Sequence, residues 1–307
     1  MSDEQSAPVC YRHRNRQTYL RCQRCERPIC ADCSIDASVG FQCPECVAQG
    51  RRTTRQARSS FGGAAGSGSA GTVTKVLIGA NVAVFIAAII SAGSLAPLMS
   101  SVLTPLHQMG AEIGYLPPYT GRGVDLFGTV VSASTVSEGA YYRMITAMFL
   151  HYGFIHLLFN MVVLYMFGRV LEHDLGPARF FAVYMLSGLA GSVAVYLFSP
   201  FTWTAGASGA VYGLFGLLIM VNRKLKRDNR GIYVLIGLNL VFTIIGGFSL
   251  AGHVGGLIGG LICGALLIFT PRGRRELHWV WFALLLVALA AITFFQTGSL
   301  DNTYDVI

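Results

Sequence analysis

The sequence predicts an all-α polytopic membrane protein preceded by a small metal-stabilised module, and three observations carry that prediction. Of its 307 residues, 53% are hydrophobic and only 12% charged, with a mean hydropathy of +0.54, a balance that cannot clothe a soluble globule. From about residue 76 onward, apolar runs recur at lengths near the roughly 20 residues a helix needs to cross about 30 Å of hydrocarbon. Seven of the eight cysteines are confined to residues 10–46, ahead of the first apolar run, which begins near Lys75. No cleavable signal peptide is expected, so the N-terminal segment should stay in the mature protein.

Residues 1–50 form the module. Its chemistry-bearing side chains fall into four pairs of C-x2-H or C-x2-C spacing: Cys10/His13, Cys22/Cys25, Cys30/Cys33 and Cys43/Cys46. Eight such ligands suit two structural zinc ions in tetrahedral sites. Fewer than about 50 residues have too small a core to fold alone, so metal should supply the stability. The rival is a disulfide framework, but disulfides belong to oxidising compartments, and the charge pattern below places this segment in the cytoplasm. Arg12, Arg14, Arg16, Arg21, Arg24 and Arg27 make the module basic. That suits docking to a cytoplasmic partner or to anionic membrane lipid more cheaply than to nucleic acid. No open metal position is expected, so the role is docking or regulation. Residues 51–74, with Arg51, Arg52, Arg55 and Arg58 followed by GGAAGSGSAG, read as a flexible basic and Gly/Ser linker.

Seven transmembrane helices are expected, at about 76–95, 154–172, 178–198, 208–222, 232–248, 252–270 and 278–296. Residues 75–297 thus form the membrane domain, and 298–307 a short tail. Between the first two helices lies a loop of about 50 residues, too long to be a simple connection. Lysine and arginine concentrate on one side: Lys75, Arg169, Arg179, the cluster Arg223, Lys224, Lys226, Arg227 and Arg230, then Arg272, Arg274 and Arg275. Only Arg122 and Arg143 fall on the other. The bias puts the N-terminus in the cytoplasm and the C-terminal tail, with Asp301 and Asp305, outside. Cys263, isolated in the sixth helix, reads as a small apolar filler.

Three polar clusters sit near the outer ends of helices two, four and six. His156 and Asn160 are four apart and share a helix face. Ser208 lies in Gly206-Ala-Ser-Gly-Ala-Val-Tyr212-Gly, among small residues that leave its hydroxyl accessible. His253 precedes Gly256, Gly260 and Gly264, whose four-residue spacing makes a smooth face for helix contact. Each cluster alone has a bland explanation, as helix–helix glue, small-residue packing or a buried relay histidine. All three at one depth read differently. A serine hydroxyl is a weak nucleophile until a neighbouring base takes its proton, and histidine suits that task. Acyl transfer also needs donors aimed at the developing oxyanion, and His156, Asn160 and the Ser208 N–H could supply them.

The ordered set HxxxN, GxSG with a tyrosine four residues after the serine, and GHxxGxxxG resembles the rhomboid intramembrane serine proteases over about residues 76–296. The resemblance implies a six-helix core plus an appended seventh helix, with Ser208 as nucleophile and His253 as general base and acid. It implies His156 and Asn160 in the oxyanion hole, Tyr212 stacked on the His253 ring, no third acidic member and no cofactor for catalysis. The family's loop carries a Trp-Arg pair where this chain has Tyr142-Arg143, a departure expected to affect loop anchoring more than chemistry. His151 is read as structural. The implied substrates are single-pass membrane proteins cut near the outer face of the plasma membrane. The module resembles a B-box-type zinc finger, whose cross-braced ligation would put the first and third pairs on one ion and the second and fourth on the other; sequential ligation is the alternative. A non-catalytic rhomboid-like escort of membrane helices is the second reading, although such relatives typically lack the serine or histidine. A transporter or channel would call for ionisable groups along a pathway or inverted repeats, and neither is visible.

Overall fold

The computed structural model describes residues 7–53, 59, 61, 63, 71–100, 102–116, 123–124, 130–131, 134–271 and 273–304. The chain divides into two compact units, Met1–Ala57 and Arg58–Ile307, a division that falls within the stretch expected as linker. Residues 64–70 of that stretch, and Arg55, Arg58, Arg122, Arg272 and Asp305, lie outside the described residues.

The first unit is small and loop-rich. A two-stranded antiparallel sheet pairs β1 (Ile35–Asp36) with β2 (Phe41–Gln42), and isolated bridges join Val9 to Gln17 and Arg21 to Pro28. Helix α1 (Pro44–Thr53) opens on proline, whose missing N–H costs nothing in a first turn. It carries Glu45 at its start and Arg51 and Arg52 at its end, matching the helix dipole. Its buried core consists of Cys10, Cys22, Ile29, Cys30, Cys33, Cys43 and Cys46. One isoleucine among six cysteines cannot hold a domain by hydrophobic burial alone.

The second unit is helical. Its long helices are α2 (Thr72–Ala92), α6 (Phe154–Leu175), α7 (Pro177–Phe198), α8 (Ser208–Leu225), α9 (Arg230–Ile245), α10 (Leu250–Phe269) and α11 (Leu277–Tyr304). Five of them, α2, α6, α7, α10 and α11, are long and apolar enough to cross a membrane. The other two have physical reasons to fall short. Helix α8 is enclosed by α6, α7 and α10, with most of its side chains buried, so it need not match lipid along its length. Helix α9 has 16 residues. Helix α11 runs to Tyr304, taking in most of the stretch expected as a tail. Gly176, at φ +83°, ends α6 and starts α7 with Pro177 next, a reversal that a side chain at that position would strain.

The described parts of the segment between α2 and α6 are ordered into short elements. They contain α3 (Ala96–Met99), α4 (Pro105–Gly110), the antiparallel pair β3 (Gly123–Val124) and β4 (Val130–Val131), and α5 (Arg143–Thr146). Arg143 ties them together. This side chain is only 2% exposed, donates to the carbonyls of Ala111 (2.7 Å) and Gln108 (2.8 Å), and lies over the rings of Tyr142 and Trp203. At the far end of the bundle, the buried Glu172 accepts from the N–H of Val73 (3.0 Å) and Thr74 (2.9 Å) and from the Thr74 hydroxyl (2.8 Å). It thereby caps α2, whose own N-cap is a glycine without a side chain to do so. Nearby, Ser59 donates to the Asp174 carbonyl, and Phe61 is buried in the main core. Cys263 is fully buried in the same core, in keeping with its reading as a filler.

Candidate active site

The site begins with glycine. Helices α8 and α10 pack so closely that a Cβ on Gly256 would run into the carbonyl oxygen of Gly209, and one on Gly260 into that of Gly213. Gly264 faces Met220 on the same seam. The four-residue glycine repeat therefore buries backbone against backbone, the contact small residues allow in a membrane. It brings the first turn of α10 against the first turn of α8.

At that junction Ser208 and His253 meet, with Ser208 Oγ 2.8 Å from His253 Nε2. Ser208 is the first residue of α8, where the leading amides have no intrahelical acceptor. His253 is buried and lies one turn into α10, whose N-cap Ser249 accepts from the Gly252 amide. Tyr212, one turn after Ser208, lies flat against the His253 ring at 4.2 Å between centroids and 9° between planes. The second imidazole nitrogen, Nδ1, is 2.7 Å from Thr243 Oγ1 on α9.

Across from this pair stands α6. Gly206, at φ +139°, has its α-carbon so placed that a Cβ would lie 2.8 Å from His156 Cε1 and 3.6 Å from Ser208 Oγ. His156 and Ser208 thus flank one point, with no room there for a side chain. The His156 ring also faces Phe248 and His151, and its Nδ1 is buried without a partner among the described residues. Asn160 donates one amide hydrogen to the carbonyl of His156, a turn back on its own helix (2.9 Å), which leaves the other N–H of that amide for a further acceptor. His151 Nε2 accepts from the Ala207 N–H at 3.4 Å, holding the residue before Ser208. The arrangement joins a hydroxyl, an imidazole and a stacked ring, with the His156 ring across from the hydroxyl; among the described residues the Asn160 amide makes no hydrogen bond to Ser208 or His253.

Sequence reasoning missed Thr243. A threonine in an apolar helix ordinarily turns its hydroxyl back to a carbonyl four residues earlier, and nothing local distinguishes this one. It also gave His151 no specific contact, because the Ala207 amide is 56 positions away.

In the first unit the ligating atoms gather as two groups, Cys10, His13, Cys30 and Cys33, and Cys22, Cys25, Cys43 and Cys46, each within 4.8 Å. The first pair sits with the third and the second with the fourth, the interleaved order. The donors fit a tetrahedral ion. Zn–S bonds of about 2.3 Å put ligand atoms roughly 3.8 Å apart, and Cys25 and Cys43 sulfurs are 3.8 Å apart. His13 Nδ1 lies 3.3, 3.5 and 4.0 Å from Cys30, Cys33 and Cys10 Sγ. A disulfide would need about 2.05 Å, and all the cysteines here are free. Amides support the thiolates: Cys43 N–H donates to Cys22 Sγ and Cys46 N–H to Cys43 Sγ. Burial opposes ionisation of Cys22, and backbone donors led by Cys43 outweigh it, lowering that thiol to about 6.

Comparison with known proteins agrees with the membrane unit. The Rhomboid domain model matches residues 138–270, which include Ser208, His253, His156, Asn160, Tyr212 and Thr243. Rhomboid protease GluP of Bacillus subtilis (strain 168) is 39% identical over 166 residues, 51% of this chain and 32% of that protein. RHOMBOID-like protein 7 of Arabidopsis thaliana is 31% identical over 160 residues, 50% of this chain and 51% of that one. The chain therefore spans about a third of the first of these relatives and about half of the second. It covers far more of Bacillus subtilis YdcA, at 34% identity over 146 residues and 73% of that protein. With such coverage, and with apolar helices that can span a bilayer, this chain is an integral membrane protein that belongs to the rhomboid family.

Proposed function

We propose that the chain is an intramembrane serine endopeptidase that cuts single-pass membrane proteins near the outer membrane face. The observation that carries this reading is the 2.8 Å contact between Ser208 Oγ and His253 Nε2. Nε2 takes the hydroxyl proton as Oγ attacks the scissile carbonyl, and returns it to the leaving amine as the C–N bond breaks. Water, activated by the same imidazole, then releases the acyl group from Ser208. The tetrahedral oxyanion is met by the Ser208 N–H, His156 and the free N–H of Asn160. Tyr212 keeps the imidazole plane fixed. Substrate must arrive locally unwound, since a helix in lipid surrenders its internal hydrogen bonds only at a cost of several kcal/mol per group.

The Lys/Arg bias supports a cytoplasmic N-terminus and an extracytoplasmic C-terminus, with the plasma membrane as the proposed location. The two four-ligand groups support two structural zinc ions, and the arginines of that module support docking to a cytoplasmic partner or to anionic lipid headgroups.

The test is cleavage of a model single-pass substrate by full-length chain in liposomes. Wild type should cleave, and Ser208→Ala and His253→Ala should each lose at least about a thousandfold, the scale of losing a member of such a pair. Full cleavage by Ser208→Ala rejects the mechanism, and tight substrate binding without cleavage by wild type favours the escort reading.

A further inference from the structure

We propose that Thr243 is a positioning residue that fixes the tautomer of His253; the inference deepens the proteolytic reading and rests on it for its consequence in rate. Thr243 sits on α9 and is 2% exposed. Its Oγ1 is within reach of three groups: the Asn239 carbonyl at 2.8 Å, His253 Nδ1 at 2.7 Å and the Tyr212 hydroxyl at 3.3 Å.

The directions follow from one assignment. A helical threonine ordinarily donates back to the carbonyl four residues earlier, and we assign the single hydroxyl hydrogen of Thr243 to that bond with Asn239 at 2.8 Å. Oγ1 then has only lone pairs to offer, and both remaining neighbours must donate to it. His253 therefore carries its hydrogen on Nδ1. A neutral imidazole has one N–H, so Nε2 is left with a lone pair, facing Ser208 Oγ at 2.8 Å. That is the tautomer a base needs. The opposite tautomer would point an N–H at the serine and leave Nδ1 without a hydrogen for an oxygen that has none to give. When the imidazole takes the serine proton, the Nδ1–H to Thr243 bond becomes charge-assisted and strengthens. A neutral hydroxyl here does part of what a carboxylate does in three-member sites.

The Tyr212 hydroxyl closes the arrangement. Its ring stacks on His253 while its O–H shares the same acceptor, so one oxygen on α9 sets both the face and the edge of the imidazole. Helix α9 buries Ile232, Ile236 and Thr243, so the seat of this oxygen depends on few contacts.

The experiment compares wild type, Thr243→Val, Thr243→Ser and Ser208→Ala as full-length chains in the same membrane mimetic. It measures kcat and KM on a single-pass substrate, the unfolding midpoint, and the 15N shifts of His253 assigned against His253→Ala. Thr243→Val should lose kcat about tenfold, equal to about 1.4 kcal/mol, with KM unchanged. Its imidazole should shift from the Nδ1–H form towards a mixture, and Thr243→Ser should restore both readouts. A Thr243→Val protein that keeps the pure Nδ1–H form overturns the inference, as does one with a lowered midpoint and unchanged tautomer. If Ser208→Ala still cleaves, or wild type does not, the proteolytic reading fails separately, and the 15N shifts still decide the role of Thr243.

Discussion

Gly206 shows how a single residue constrains the site. Its φ of +139° is disfavoured for any side chain, and an added Cβ would press on the His156 ring at 2.8 Å. Gly206→Ala should therefore cut cleavage strongly while costing about 1–3 kcal/mol in backbone strain; kinetics paired with thermal unfolding would show activity falling further than stability. Tyr212 offers the complementary case. Tyr212→Phe keeps the ring on His253 and should keep most activity, whereas Tyr212→Ala frees the imidazole and should lose at least about tenfold in kcat on the same substrate. Both positions are visible in the sequence, because motif spacing around Ser208 marks them. Thr243 is not, since its partners Tyr212 and His253 are set by how three helices assemble and not by any local pattern.

At the scale of elements, the seam between α8 and α10 decides whether Ser208 and His253 can meet. Gly256→Ala would place a methyl against the Gly209 carbonyl and force the helices apart, costing about 1–3 kcal/mol and most of the cleavage. Gly237→Ala on α9 is the control: a Cβ there meets nothing within 4 Å, so the variant should keep its unfolding midpoint or gain slightly, by about 0.5–1 kcal/mol. The seven long helices and the glycine seam are legible in the sequence through apolar run length and the four-residue spacing. The order within the long loop is not. Arg143 reads as a charge on the outer side, yet it is buried and spends its donors on the carbonyls of Ala111 and Gln108, bonds that hydropathy cannot register. Glu172 is a similar omission. A carboxylate near a helix end looks like solvated surface, but here it caps α2 with three hydrogen bonds. Glu172→Ala should lower the unfolding midpoint and expose the start of α2 to protease, at roughly 1.5–3 kcal/mol.

For the molecule as a whole, the membrane unit needs no metal to explain its packing, whereas the N-terminal unit has little else to hold it. Purified full-length chain should carry about two zinc ions by elemental analysis, a number set by its eight ligands, and strong chelation should melt the first unit while the helical signal of the second persists. Cysteine spacing makes the ligand set legible, but spacing leaves the partnering of pairs open, because interleaved and sequential folds share the same repeat. Partnering has its own outcome. Cys22 and Cys25 are strung between the halves of one ligand group, and Cys30 and Cys33 between the halves of the other, like two links of a chain passed through each other. Each group shares its intervening chain with the other, so loss of one ion should loosen its neighbour, and a chelator titration should draw both off cooperatively, with little of any species that keeps a single ion.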